Sequence, residues 1–346
     1  MLLVAAVVFL IYNNKPTSIK NDTSKTAGTT QNPGELNSPE EEYIFVPYWT
    51  ISSDLADAPY DNLIYFGISA DLEGIDKTDL GYKNMSEFIA NTQGKETHLT
   101  VRMLDSDVNL EILDNKNLQE KVISQSIDIA RENGFTGIIL DLEIQGIPFE
   151  SFVQSITDLN INFSKSARNN NLTFGTLIYG DAYFRARPYS VKEIAQNVDR
   201  VYVMAYDFSK ARGNPGPNFP LSSKEVYGYD FKTMTVDYLK DVSAEKLTVV
   251  LGMFGYDWEI DNENRGIGIA SSKSTLGFEK FMISCVDSNS CSVSVDPDSK
   301  ETQIIHTQEN KKHIVWFETS SSADRKIEFL KSSGVNSIGF WAYSFF

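Results

Sequence analysis

Basic residues are scarce in this chain of 346 residues. Its 31 Lys and Arg face 47 Asp and Glu, which leaves a formal net charge of -16 at pH 7, and the basic residues form no cluster. Nucleic acids and anionic membrane surfaces bind basic patches, so the composition argues against either as the main partner. The acidic surplus by itself indicates no more than solubility.

Histidine is also rare. The three histidines, His98, His306 and His313, do not have the spacing of metal ligands along the chain. The 21 glycines are scattered at turns and form no phosphate-binding loop. We therefore expect neither a metal nor an organic cofactor.

Only two cysteines occur, Cys285 and Cys291, and they enclose the segment VDSNS. In an exported protein, two cysteines this close in sequence favour a small disulfide loop. Two free thiols are the alternative.

The longest unbroken apolar run lies at the N-terminus, where residues 2–12 read LLVAAVVFLIY. As a helix it would span roughly 17 Å, which is short of a bilayer core of about 30 Å. We expect residues 1–12 to be a signal peptide or a signal anchor that tethers the chain to a membrane. Residues 13–41 are polar, lack an apolar period and predict a disordered linker. The rest, 42–346, is then expected outside the cytoplasm, secreted or anchored, as a monomer.

Eight strand-like runs alternate with amphipathic helical stretches from residue 43 onward. Near-continuous apolar strands separated by helices indicate a parallel sheet covered on both faces, and eight of them predict a (β/α)8 TIM barrel. About 80 residues separate the last two strands, so we expect a small insertion at about 259–313. The runs are 43–49, 62–69, 98–104, 137–143, 172–179, 198–207, 246–256 and 337–343.

The fourth run, GIILDLE, ends in Asp141 and Glu143. Catalytic residues of such barrels lie at the carboxyl ends of the strands, and alternation along a strand directs both side chains to one face. A carboxylate beside a carboxylic acid raises the pKa of the acid, as a general acid near neutral pH requires. The D-x-E spacing recurs elsewhere in the chain, so only its position at a strand end singles out this copy.

The segment resembles the fourth strand of the glycoside hydrolase family 18 barrels, which ends in D-G-x-D-x-D-x-E. Asp141 and Glu143 match the last two acidic positions, whereas Thr136 and Ile139 replace the first two. Further similar segments follow in the family's order between residues 43 and 346. They are MAYD (204–207), GPNFPL (216–221), LGMFGYDW (251–258), VWFETSSSADRK (315–326) and GFW (339–341).

The resemblance implies a role for each matching residue. Glu143 would protonate the glycosidic oxygen, Asp141 would orient the substrate's 2-acetamido group, and Tyr206 would hydrogen-bond its oxygen. That acetamido oxygen, rather than a second carboxylate, would be the nucleophile. Asp207, Met204 and Trp341 would bind the sugar, with Trp341 as an apolar floor. The other tryptophans, Trp49, Trp258 and Trp316, are expected in the core or in contacts of the insertion.

The sequence therefore predicts a retaining glycosidase, similar to chitinases and N-acetylglucosaminidases. Its expected partner is a polysaccharide of β-linked N-acetylglucosamine, either a chitin-type chain or the peptidoglycan of a cell wall. A lectin-like barrel that binds glycan without turnover is the alternative, because Ile139 cannot share a proton with Asp141. A structural protein of the cell envelope is a third possibility.

Overall fold

The computed structural model describes residues 41–144, 146–288 and 290–346. The expected signal or anchor segment, and the linker up to residue 40, lie outside the described residues. Glu41, expected to end the linker, is instead the first residue of a strand. In the part of the chain that is described, no helix is both long enough and apolar enough to cross a membrane.

Eight parallel strands close into a barrel, which confirms the predicted fold. The barrel strands, in spatial order, are β1, β2, β4, β5, β6, β7, β8 and β14, and β14 pairs with β1 to complete the ring. Their bounds are β1 Glu41–Pro47, β2 Asn62–Asp71, β4 Glu96–Met103, β5 Gly137–Leu142, β6 Thr173–Tyr179, β7 Arg200–Ala205, β8 Leu247–Gly252 and β14 Ser337–Trp341, while β3 (Gly74–Ile75) is a short antiparallel extension of β2.

Helices connect the barrel strands and cover their outer face. They are α1 Leu80–Ala90, α2 Ser106–Asp114, α3 Lys116–Glu132, α4 Glu150–Asn169, α5 Val191–Asn197, α6 Lys224–Tyr227, α7 Phe231–Tyr238, α8 Thr275–Ser288 and α9 Ser320–Ser332. Every residue of β5 and of β8 is buried. Helices cover the outer face of each strand, and side chains of the other barrel strands cover its inner face. The interior of the barrel is filled by large side chains, among them Phe45, Phe66, Ile139, Leu177, Tyr202 and Met204.

A second sheet is inserted between β8 and β14. Its five antiparallel strands have the order β10-β9-β13-β12-β11, with bounds β9 Phe254–Ile260, β10 Ser271–Ser274, β11 Cys291–Val295, β12 Thr302–Gln308 and β13 Lys311–Phe317. The insertion is longer than the expected 259–313. It begins at β9, two residues after β8 ends, and its sheet continues to the end of β13.

Each face of the inserted sheet has its own small core. One face packs against α8 through Phe278, Ile304, Val315 and Phe317. The other buries Trp258 and Trp316, together with Ile260 and Ile314. Cys285 at the end of α8 is joined to Cys291 of β11 in a disulfide, with the two Cα atoms 5.6 Å apart. The bridge fixes α8 to the edge of the sheet.

A fully buried charge cluster ties the inserted sheet to the barrel. The ammonium group of Lys326 on α9 contacts a carboxylate oxygen of Glu318 and lies 2.9 Å from Oε1 of Glu301. None of these three side chains is more than 1% exposed. Two carboxyls around one ammonium leave a surplus of negative charge away from water. Burial, only partly offset by Lys326, raises the pKa of Glu318 to about 7.

Glu318→Gln should therefore make stability less dependent on pH. Since the folded pKa of Glu318 lies above its ordinary 4.5, the folded chain holds a proton that the unfolded chain releases between these values. The stabilisation is complete below about pH 4.5 and is lost as the pH rises through about 7, a change of roughly 3 kcal/mol for one such group. Urea unfolding of parent and variant from pH 4.5 to 8 measures it, because other titrating groups cancel in the difference.

Lys326→Met is the matched contrast. It leaves two buried carboxyls without their cation and should cost about 3–5 kcal/mol at neutral pH. Parallel pH profiles for the parent and Glu318→Gln would contradict the assignment.

Candidate active site

The inward face of β5 leads to two carboxylates at the mouth of the barrel. Ile139 packs in the interior, Asp141 follows two residues later and is 2% exposed, and Glu143 lies just past the strand end. Asp141 and Glu143 both line a cleft of ≈ 610 Å³ at the carboxyl ends of the strands. The structure thus brings the predicted acidic pair into one concave site.

Glu143 is held by a side chain that the sequence analysis did not identify. The hydroxyl of Tyr179, at the end of β6, donates to Oε2 of Glu143 at 3.0 Å. Burial raises the pKa of Glu143, the hydrogen bond from Tyr179 opposes this, and the nearby charge of Asp207 adds to the increase. A raised pKa favours the protonated form, which is what a proton donor needs.

The guanidinium of Arg187 lies over the ring of Tyr179, 3.9 Å from its centroid. Arg187 is itself fixed by Asp181, through Nε to Oδ1 and Nη2 to Oδ2, both at 2.9 Å. Asp181 is shared by Arg187 and Arg185. Arg187 therefore orients Tyr179, and its charge lowers the pKa of Glu143 less than the hydrogen bond from Tyr179 does. The position of Tyr179 at the end of a barrel strand could have indicated a role; nothing in the sequence indicated Arg187.

Asp141 is more deeply buried than Glu143. Burial raises its pKa well above the ordinary value, the charge of Glu143 raises it further, and Arg102 opposes both effects. Arg102 is the register partner of Asp141 on β4, where its Nε donates to the carbonyl of Gly67 at 2.8 Å. Within the described residues, Oδ1 of Asp141 has no protein hydrogen-bond partner. This buried oxygen is a free acceptor, or a donor when it is protonated, next to the cleft.

The replaced acidic positions of the β5 pattern have ordinary structural roles here. Thr136, just before the strand, donates its hydroxyl to the carbonyl of Thr97 at 3.0 Å. Ile139 is 1% exposed and packs inside the barrel, so no carboxyl lies below Asp141 on this strand.

Tyr206 and Asp207 enter the site after β7. Tyr206 is partly buried and lines the cleft. Asp207 has a φ of 58°, and its backbone N–H donates to Oδ1 of Asn218 at 2.8 Å. The hydroxyl of Tyr256, from the inserted sheet, donates to Oδ1 of Asp207 at 2.7 Å. The inserted sheet therefore supports a residue of the barrel site.

Met204 has a more recessed position. It is 5% exposed, packs in the barrel interior and borders a recess of ≈ 70 Å³ beside Glu143 and Asp207.

Aromatic rings form the floor and one wall of the cleft. Trp341, at the end of β14, packs edge-on against Phe66 at 4.7 Å and lies 6.4 Å from the ring of Tyr206. Trp49 also lines the cleft and is 54% exposed, so its expected place in the core is wrong. An exposed indole beside a cleft offers the flat apolar surface on which a sugar ring packs.

The inserted sheet contributes the opposite wall of the cleft, through Phe254, Tyr256, Ser272, Lys273 and Ser274. Its other face brings His306 and His313 together with Asp257, all from different strands. Because Asp257 is far from both histidines along the chain, the three residues show no metal-ligand spacing in the sequence. The third histidine, His98, lies inside the barrel, and burial lowers its pKa to about 4.

Comparisons with known proteins agree with this geometry. A sequence profile of the "Glycosyl hydrolases family 18" matches residues 50–345. The chain is 20% identical over 251 residues to the cortical fragment-lytic enzyme of Bacillus subtilis, which covers 71% of this chain and 55% of that enzyme. The chain thus spans little more than half the length of the first curated relatives that it matches.

Solved structures share the fold. The spore cortex-lytic enzyme SleL of Bacillus cereus superposes with a TM-score of 0.73 at 17% identity, over 90% of this chain and 73% of that one. A chitinase of Cycas revoluta, in complex with (GlcNAc)3, gives 0.73 at 18% identity, over 87% and 94% of the two chains. With the profile matching most of the chain and the acidic pair placed at the end of β5, the chain belongs to glycosyl hydrolase family 18.

Proposed function

We propose that this chain is a retaining glycosidase of β-linked N-acetylglucosamine glycans, in which the acetamido group of the substrate is the nucleophile and Glu143 is the general acid. One observation carries the proposal. Beside a carboxyl whose pKa is raised, Asp141 lines the same cleft, and its buried Oδ1 has no protein partner in the part of the chain that the structure describes. An acetamido N–H is a donor that would satisfy this oxygen.

The reaction has two steps. Glu143 donates its proton to the glycosidic oxygen while the acetamido oxygen bonds to the anomeric carbon, and the carbon–oxygen bond to the leaving sugar breaks. Asp141 accepts the acetamido N–H and stabilises the cyclic oxazolinium cation. Glu143, now ionised, takes a proton from water, which attacks the anomeric carbon and reopens the ring. Two inversions give retention.

The remaining side chains of the site bind the sugar. Tyr206 donates its hydroxyl to the acetamido oxygen, and Trp341 supports the apolar face of the ring. Asp207, held by Tyr256, accepts from a sugar hydroxyl, and Met204 contacts the sugar from the recess that it borders beside Glu143. The exposed indole of Trp49 packs against a neighbouring sugar at the mouth of the cleft.

Two substrates fit this chemistry, since chitin-type chains and peptidoglycan both carry β-linked N-acetylglucosamine. The names of relatives support both substrates, since they include cortical fragment-lytic enzymes and chitinases. Incubating the protein with chito-oligosaccharides and with peptidoglycan, followed by mass analysis of the products, decides between them. We place the chain outside the cytoplasm as a monomer, where either polymer would be accessible.

The alternative is a glycan-binding barrel without turnover, and the replacement of an acidic residue by Ile139 favours it. The presence of Glu143, whose carboxyl is oriented by a hydrogen bond from Tyr179, favours the enzyme. A binding protein has no use for a carboxyl whose pKa is raised at the point of cleavage.

Glu143→Gln should lower turnover of an unactivated chito-oligosaccharide or peptidoglycan fragment by about 10²–10⁴, because the amide keeps the shape but cannot donate the proton. Binding should persist, so calorimetry with the same oligosaccharide is the control. Turnover at the parent rate would remove Glu143 from the mechanism.

Tyr179→Phe should move the alkaline limb of the pH profile of kcat/KM to higher pH. The lost hydrogen bond stabilises the ionised form of Glu143, so its removal raises the pKa of the acid further and keeps it protonated to higher pH. Tyr183→Phe is the control, since that hydroxyl donates to Asp241 at 2.7 Å instead. An unchanged or lowered limb in Tyr179→Phe would contradict the assignment.

Asp141→Asn should abolish the preference for a cyclic thiazoline mimic of the oxazolinium over the product sugar. Interactions that exist only in the transition state raise turnover and favour such mimics.

Proton NMR of a fresh digest by the parent should show the β-anomer first. Initial α product would exclude assistance by the substrate, and tight oligosaccharide binding with no product would favour the glycan-binding alternative.

A further inference from the structure

Three side chains on the inserted sheet converge on one point away from the cleft. Oδ1 of Asp257 on β9 lies 3.0 Å from Nδ1 of His313 on β13 and 3.4 Å from Nε2 of His306 on β12. All three atoms lie within 4.8 Å of one another. Both imidazoles face the same carboxylate oxygen. We propose that Asp257, His306 and His313 bind a divalent transition metal ion, of which Zn²⁺ is the first choice.

One of the two distances suits a shared metal ion better than a hydrogen bond. Hydrogen bonds between an imidazolium and a carboxylate are usually about 2.7–2.9 Å long, so 3.4 Å is a poor one. Zn²⁺ binds His nitrogen and carboxylate oxygen at about 2.0–2.2 Å in a tetrahedron, which places neighbouring donors about 3.3–3.5 Å apart. The distance to His306, 3.4 Å, lies in that range, whereas the distance to His313, 3.0 Å, is that of a hydrogen bond and would have to lengthen by about 0.3 Å to admit the ion.

The ligands are held by a rigid frame. His306 and His313 are direct register partners, and β13 pairs with β9 on its other side, so the three residues lie on adjacent hydrogen-bonded strands. Phe281 of α8 packs edge-on against His306, with ring centroids 4.8 Å apart. Cys291, the register partner of His306 on β11, is tied to α8 by the disulfide. A site built on strands needs little rearrangement to bind an ion.

The site is closed on two sides and open on one. The side chains of His306 and Asp257 are 5% and 9% exposed, whereas His313 is 16% exposed. The opening beside His313 leaves room for water as the fourth ligand. The adjacent Tyr256 lines the cleft and contacts Asp207, while Asp257 lies on the α8 side of the sheet beside His306. The ion would therefore stabilise the sheet that supports the glycan site without taking part in the proposed hydrolysis.

Zinc binding by the full chain, untagged and first stripped with a chelator, tests the proposal. Calorimetry should give one Zn²⁺ per chain at micromolar affinity or tighter, and zinc in excess should raise the unfolding temperature by several degrees. Co²⁺ in place of Zn²⁺ should give the intense visible absorption of a tetrahedral complex. His306→Gln and Asp257→Asn should each weaken binding at least tenfold.

Thr307→Ala, an exposed neighbour of His306 on the same strand, is the matched control and should bind as the parent does. His98 remains in every variant, so stray binding at that histidine would persist. Should one variant fold poorly, His313→Gln offers an independent test. No stoichiometric binding by the parent, or equal binding by parent and ligand variants, would overturn the proposal. Neither result depends on glycosidase activity.

Discussion

The ammonium group of Lys326 is the point at which barrel, inserted sheet and candidate site meet. It neutralises Glu301, whose two carboxylate oxygens also accept the backbone N–H groups of Asn218 at 2.5 Å and Phe219 at 2.8 Å. The Asn218 side chain in turn accepts from the backbone of Asp207 and donates to the carbonyl of Gly252 at 2.9 Å. A buried carboxylate that lost its cation would have to take up a proton or leave the interior. The contact with Lys326 therefore keeps Glu301 in place, and with it the hydrogen bonds that run through Asn218 to Asp207.

The candidate site is governed by the same physics, but burial rather than a paired cation determines the charge of its carboxyls. Asp141, Glu143 and Asp207 lie close together in a poorly solvated cleft, and burial raises the pKa of each. A cation in direct contact would cancel that effect. The nearby arginines are paired elsewhere, Arg187 with Asp181 and Arg102 with Asp79 together with the carbonyl of Gly67. Lys210 lowers the pKa of Glu143 and of Asp207, but burial outweighs it at both. Pairing the arginines outside the acidic group leaves the pKa of each carboxyl raised.

The sequence predicted the eight barrel strands and the acidic pair because both are local signals. A continuous apolar run marks a strand that is covered on both faces, and the end of such a run marks the rim of the barrel. Contacts between segments that are far apart in the sequence produce no local pattern in it. The Tyr179–Arg187–Asp181 arrangement, the cluster of Asp257, His306 and His313, and the exposed position of Trp49 each depend on which elements become neighbours. The insertion was predicted too short for the same reason. Its first strand, β9, follows β8 almost directly, so the sequence shows no boundary between them.

The replacement of an acidic residue by Ile139 has a defined electrostatic consequence. Below Asp141, the inward face of β5 presents only the apolar side chain of Ile139 to the barrel interior. A proton on Asp141 therefore has no carboxyl beneath it on this strand to which it can move, and the nearest acidic neighbour that raises its pKa is Glu143. The two carboxyls then act as one unit, in which ionisation of either makes the other hold its proton more firmly. In the proposed reaction, the charge that Glu143 acquires when it gives up its proton raises the pKa of Asp141 further. The positive charge of the oxazolinium cation has the opposite effect, so in the proposed reaction the cation favours the ionised form of Asp141 and is stabilised by it in turn.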